Sequence, residues 1–210
     1  MAIAYDTSSK GTDTTSTGQS WSHTCTGSDR LLVVGVSHTA ATDGTLTGIT
    51  YNGAAMTKAA SIRRSDNVCW TQLWYLVGPA SGSNTIQITL SGSTRHSATA
   101  SSYTGVKQTG QPDASTSTNA SGDQVCTVST TADNSWGVIV GQSASAAAGT
   151  NVTERQLETS FGQFHGDSNG PKTPAGSFSM TMTGTGAGTG VMATFAPAAS
   201  PVNGQMLAVF

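Results

Sequence analysis

A two-residue alternation of apolar and polar side chains recurs along the chain, and it is densest between Asn67 and Gly92. There Trp70, Trp74 and Leu76 share one parity while Cys69, Leu73, Tyr75 and Val77 hold the other. Apolar side chains on both faces predict a central strand covered from each side, because a strand with one wet face alternates. Ile86, Ile88 and Leu90 then alternate with Gln87 and Thr89, which predicts a second strand with a single inward face. Gly78-Pro79 and Ser81-Gly82-Ser83-Asn84 form the loop between them, since Pro lacks a ladder donor and Gly tolerates positive φ.

The same pattern extends in both directions. Residues 1–6 predict a short strand, and the polar stretch 7–19 an extended loop or arm. Ser20–Thr26 alternates around Trp21, His23 and Cys25, and Arg30–His38 is a second strand with two dry faces. Leu46–Tyr51 runs into Asn52-Gly53, the strongest hairpin signal in the chain, so Ala54–Ile62 is expected to pair back across it. Thr94–Val106 reads as a separate strand of small residues, and Lys107–Gly122 as the longest loop. Strands are expected again at Gln124–Ser129 and Ser135–Gln142, with a hairpin over Asn151–Thr159 and Phe161–His165. Phe178, Met180 and Met182 alternate, as do Val191, Ala193 and Phe195, and the glycine run 184–190 reads as the hairpin loop between them.

No segment carries capped helical periodicity. About fourteen short strands at roughly ten-residue spacing point to an all-β fold, a two-sheet β-sandwich of jelly-roll type with short extended terminal arms. The expected domain spans residues 1–197, with Val34, Trp70, Trp74, Ile86, Ile88, Leu90 and Trp136 in its core. Residues 198–210 form a linker and an apolar docking tail, in which Met206, Leu207, Val209 and Phe210 are the expected assembly contacts. A six-residue apolar end can add to an exposed sheet edge, and left undocked it favours aggregation.

Composition narrows the function classes. Only 10% of residues are charged and 36% are hydrophobic, with Ser, Thr and Gly filling the difference. A net charge of −2 gives no electrostatic footprint for nucleic acid, and no partner of that class is expected. Neither a basic-then-apolar leader nor a window of apolar residues long enough to span a bilayer is present, so a protein made and assembled in a cytoplasm is expected, with no membrane partner. Low surface charge and strands apolar on both faces imply a homo-oligomer, with a trimer as the expected state. Cys25, Cys69 and Cys126 leave an odd thiol however they pair. They are either three buried free thiols or one bridge plus a thiol able to cross-link subunits.

Five phrases, in order, carry a resemblance: Ser20–Val36, Ile49–Thr57, Leu73–Pro79, Gly82–Gly92 and Ser102–Val106. Together they resemble a β-sandwich module of tailed-phage structural proteins and of bacterial surface or secreted proteins. The resemblance runs from about residue 3 to Pro197 and brings no shared catalytic motif. It implies a non-enzymatic virion structural protein, a decoration or fibre-type subunit whose partners are its own copies and other virion proteins such as a capsid lattice. The alternative is a carbohydrate-binding or adhesive module at the cell surface or outside the cell. A host-surface glycan would then stack on Tyr51, Trp136, Phe161 or Phe164.

Candidate chemistry is sparse. The acidic residues sit mostly in turns beside Gly, Ser or Asn, where side chain to backbone bonding explains them. Glu154 and Glu158 share a parity on one predicted strand and read as an outward polar face. No G-x-S-x-G elbow occurs. His23, His38, His96 and His165 lie far apart, with no metal-ligand spacing. His165-Gly-Asp167-Ser-Asn169 alternates oxygen donors but lacks the acidic density of a dedicated Ca²⁺ loop. The glycine run 184–190 is flanked by strands, so it opens no helix that could cradle a phosphate. No cofactor and no metal are expected.

Overall fold

A computed structural model describes residues 1–199, and the tail positions Met206, Leu207, Val209 and Phe210 lie outside the described residues. The strands are β1 (Ala4–Lys10), β2 (Thr14–Cys25), β3 (Leu31–His38), β4 (Leu46–Tyr51), β5 (Ala54–Ala55), β6 (Thr57–Arg63), β7 (Trp70–Val77) and β8 (Gly82–Thr104) in the first half. The second half holds β9 (Ala114–Thr118), β10 (Gln124–Ser129), β11 (Trp136–Gln142), β12 (Ala147–Ala148), β13 (Thr153–Glu158), β14 (Gln163–Asp167), β15 (Ser177–Thr183) and β16 (Thr189–Phe195). The fold is all-β, and its antiparallel sheets pack face to face as in a sandwich. Among the described residues the sheets number three rather than two: β5-β4-β8-β3-β7-β6 with β1 and β2, then β13-β14-β11-β16-β9, then β10-β15-β12. Among the described residues no helix is long and apolar enough to cross a membrane.

Strand β8 organises the first half. Its 23 residues would span roughly 75 Å if straight, against roughly 45 Å for the diameter of a compact chain of this length, so it has to bend. Ser16 pairs with Thr94 and Gly18 with Thr89, leaving Leu90–Ser93 opposite Thr17 alone, and this wide bulge marks the bend. On one edge β8 pairs with β4 before the bend and β3 after it. On the other edge it pairs with β2 and then β1. Ile86, Ile88 and Leu90 from one arm of β8 share a core with Ala98 and Ala100 from the other, joined by Leu32, Val34 and Val36 of β3. The sheet is therefore curled around its own even-numbered face.

Strand β3, which reads as apolar on both faces, takes an inner position, and so does β11, which does not read so. All eight residues of β3 are buried: Leu32, Val34 and Val36 enter the first core, while Leu31 and Val33 face Val138, Val140, Val191 and Phe195 of the second sheet. Strand β11 repeats this one layer further on, with Val138 and Val140 in the middle core and Ile139 in a third core with Phe164, Met180 and Met192. The molecule is thus a stack of four β layers with three apolar seams. The middle seam joins the two halves and is tight at Gly35, where a Cβ would lie 2.6 Å from Val140 Cγ1.

Several expectations need correction. The polar stretch 7–19 is mostly strand, because Thr- and Ser-rich chain suits a pleated surface and β8 offers a free edge along its length. Residues 82–104 form one strand rather than two, and chain continuity through Gly92 comes from its pairing with β2 on both sides. Asn52 (φ 49°) and Gly53 (φ 78°) do turn the chain into a hairpin, but only Ala54–Ala55 pairs back on β4, and β6 crosses to β7 instead. The glycine run 184–190 joins two different sheets and closes no hairpin. Lys107–Gly122 contains β9. Trp70 is only half-buried at the start of β7, outside the cores that hold Trp74, Ile88 and Trp136.

Candidate functional site

The first residues and the segment after β16 meet on one side of the stack. The Met1 ammonium donates to Ala198 O at 2.6 Å, Ala198 N donates to Gly105 O at 2.8 Å, and Lys107 N donates to Ala196 O at 2.9 Å. Pro197 bridges to Val106, so the chain leaving β16 runs on in extended form beside the residues that leave β8. The side-chain amide of Gln111 reinforces this by donating to Ala196 O at 3.1 Å and accepting from Ala196 N at 3.2 Å.

Opposite lies the turn after β10. Asp113 accepts from the backbone of Thr131 at 2.9 Å, and Asp133 accepts from Ala175 N at 2.7 Å. Asn134, at φ 61°, supplies the left-handed residue that a short polar side chain tolerates best. Between these walls is a cleft of about 710 Å³, floored by Trp136 and Ile3 and closed on the far side by Pro171. Trp136 stands edge-on to Tyr103 with ring centroids 6.1 Å apart, which fixes its plane. Lys107, Asp133 and the Met1 ammonium are the charged groups of the lining, Asn134 adds a polar side chain, and the rest is apolar side chain or backbone. A largely apolar cleft of this size suits an apolar ligand or peptide segment better than an ion.

The sequence-predicted glycan aromatics do not form a platform. Tyr51 and Phe164 are fully buried, and Phe161 sits against its own strand turn at 8% exposure. The Tyr51 hydroxyl donates inward to His23 O and Gly82 O. Trp136 alone borders the cleft, and it is 7% exposed. The alternation that placed these rings on strands could not say that both faces of those strands are covered.

The three cysteines are free and buried. Burial pushes the Cys69 thiol up to about 11 and Cys126 up to about 12, and raises Cys25 as well. None can meet a neighbouring subunit in the folded state, so the cross-linking expectation is corrected in favour of three inert buried thiols.

One pair resembles nucleophile chemistry. Ser9 Oγ lies 2.7 Å from His23 Nδ1, the donor being set by the imidazole tautomer, and accepts from Trp21 Nε1 at 2.9 Å. Desolvation lowers His23 to about 4 despite the opposing pull of Asp6. Its Nε2 is buried with no partner among the described residues, so no third group orients the ring as a base. The pair ties β1 to β2. His165, fully buried, is lowered to about 3 by desolvation and contacts Thr99 Oγ1 at 3.2 Å. The side-chain oxygens of Asp167 and Asn169 are taken up by a guanidinium: Arg155 donates to Asp167 at 2.7 and 2.9 Å and to Asn169 at 2.8 Å. Glu158 folds back to accept from Ser160 N and Phe161 N, so it caps a turn and does not face outward.

The cleft was not legible in the sequence, because its lining comes from five separate chain segments that carry no motif. No family model matches the chain, and no curated protein or solved structure matches it either.

Proposed function

We propose that this chain is a non-enzymatic structural subunit of a tailed-phage particle, of decoration or fibre type, which assembles through the region where its first residues meet Ala196–Ala199. The observation that carries this reading is the largely apolar cleft at that junction, directly beside the point where an apolar tail leaves the described chain. The ordered resemblance from residue 3 to Pro197 supplies the phage context. Partners are further copies of the chain, with a trimer as the assembled state, and the virion surface. Deleting residues 205–210 tests it: loss of co-sedimentation with the virion or of oligomer in sedimentation velocity is the expected result. A chain that stays monomeric at micromolar concentration and ignores the particle with its tail intact overturns the reading.

A second reading, a carbohydrate-binding or adhesive module acting outside the cell, is favoured by one observation. Trp136 lines the cleft with Asp133 and Asn134, an aromatic edge beside planar hydrogen-bonding groups. A glycan array with the intact protein and with Trp136→Phe separates the two readings.

A further inference from the structure

We propose that the end of the first sheet binds a small oxyanion, inorganic phosphate or a carboxylate, on a row of side chains formed by Arg63, Trp70, His38 and His96. The site uses none of the cleft residues, so it stands apart from the assembly reading.

Strand register sets the row. Arg63 of β6 pairs with Trp70 of β7, Trp70 with His38 of β3, and His38 with His96 of β8. Residues paired directly across neighbouring strands project from the same face, with Cβ atoms about 5 Å apart. Each of the four carries one buried side-chain nitrogen with no partner among the described residues: Arg63 Nε, Trp70 Nε1, His38 Nδ1 and His96 Nε2. His38 and His96 are themselves fully buried. Buried polar groups in folded proteins are nearly always paired, so four adjacent exceptions in one row point to a ligand.

The protons on these nitrogens decide what that ligand is. Arginine and tryptophan nitrogens only donate. Trp74 Nε1 donates to Gln72 Oε1 at 2.8 Å and Gln72 Nε2 donates to Asp43 O at 2.9 Å, which orients that amide. Gln72 Nε2 also lies 3.3 Å from His38 Nε2, so this ring nitrogen faces an N–H and holds the lone pair. Burial lowers His38 to about 4, so the ring is neutral at pH 7 and its one proton sits on Nδ1. Three unpaired donors thus stand side by side. His96 Nδ1 donates to Thr94 O at 2.9 Å, which leaves Nε2 of the neutral ring as an acceptor at the end of the row. The protonated oxygen of hydrogen phosphate can fill that acceptor, and a carboxylate cannot.

Charge selects an anion as well. Arg63 Nη2 donates to Asn67 O at 3.2 Å, and Arg63 joins no ion pair among the described residues. Arg64 beside it is matched by Asp66 at 2.8 Å, and Lys58 by Asp43 at 2.5 Å. The Arg63 guanidinium lies 6.0 Å from the centroid of the Trp70 ring and is half-buried, so it is the group that can swing aside to admit an ion.

Calorimetric titration of the full-length protein with sodium phosphate and, separately, with sodium acetate tests this at neutral pH and fixed ionic strength. Phosphate should bind saturably and more tightly than acetate. Arg63→Gln should weaken binding at least about tenfold, as loss of a charged hydrogen bond does, and Trp70→Phe, which keeps a ring and removes the N–H, about two- to tenfold. Arg64→Gln should leave it unchanged, and thermal melts establish that each variant folds. Binding of acetate alone would keep the site and name a carboxylate as its ion. Failure of both anions to saturate overturns the proposal. So does binding that Arg63→Gln and Trp70→Phe leave intact, or that Arg64→Gln weakens as much as Arg63→Gln.

Discussion

Replacing Gly35 by Ala is the sharpest test of how the two halves pack. Gly35 lies in β3, opposite Leu73 of β7 and Thr99 of β8. An added Cβ there would meet Val140 Cγ1 at 2.6 Å and Val140 Cβ at 2.8 Å, with Gln163 Nε2 at 3.2 Å. Carbon atoms in contact prefer about 3.5–4.0 Å, so the second sheet must retreat by close to an ångström or Val140 must leave its rotamer. Overpacking of this kind costs about 1–3 kcal/mol, and the loss of glycine's unfolded-state entropy returns about 0.5–1 kcal/mol of it. A net destabilisation of up to about 2.5 kcal/mol remains, centred near about 1 kcal/mol, which for a chain of this size lowers Tm by about 2–4 °C. Gly48→Ala in β4 is the control, because nothing lies within 4 Å of its Cβ position and its φ is not positive. It should be neutral or slightly stabilising. Pairing Gly35→Ala with Val140→Ala makes room for the new methyl, so the double variant should lose less than the sum of the singles. Thermal melts or urea titrations of the four proteins measure all of this. A Gly35→Ala protein as stable as the parent, with strictly additive effects, would refute the close contact of the inner layers.

Other expectations follow from the same packing. Ile88→Ala should cost about 2–5 kcal/mol, whereas Gln87→Ala on the exposed face should stay within about 0.5 kcal/mol, both read from urea midpoints. His23 and His38 are lowered to about 4, and His165 to about 3, chiefly by burial. The unfolded chain therefore takes up these protons first, so stability is full above about pH 6.5 and falls as pH drops toward 4. Denaturant midpoints that stay flat between pH 7 and 4.5 would contradict this. The three thiols should resist a thiol-specific reagent in the native state and all react in denaturant, with no cross-linked ladder on non-reducing gels; fast native reaction of any one would show that it is not buried.

The periodicity of side chains determined which segments are strands and which of them are dry on both faces. Leu31–Val36 and Leu73–Val77 announce their inner positions by apolar residues of both parities. Asn52-Gly53 specified its turn, because that conformation depends on two residues alone. Partner choice was not legible. Alternation reports that a face is covered but not by what, since each ladder bond joins residues far apart in sequence. Only the assembled sheet shows β8 passing through Gly92 to pair four strands, and only its free edge turns the polar stretch before Ser20 into strand. The same limit hid the burial of Tyr51 and Phe164, which depends on layers contributed by distant segments. The cleft depends on the tertiary structure alone, because Met1, Lys107, Asp133, Pro171 and Pro197 share no local pattern and meet only where the first residues and the segment after β16 come together.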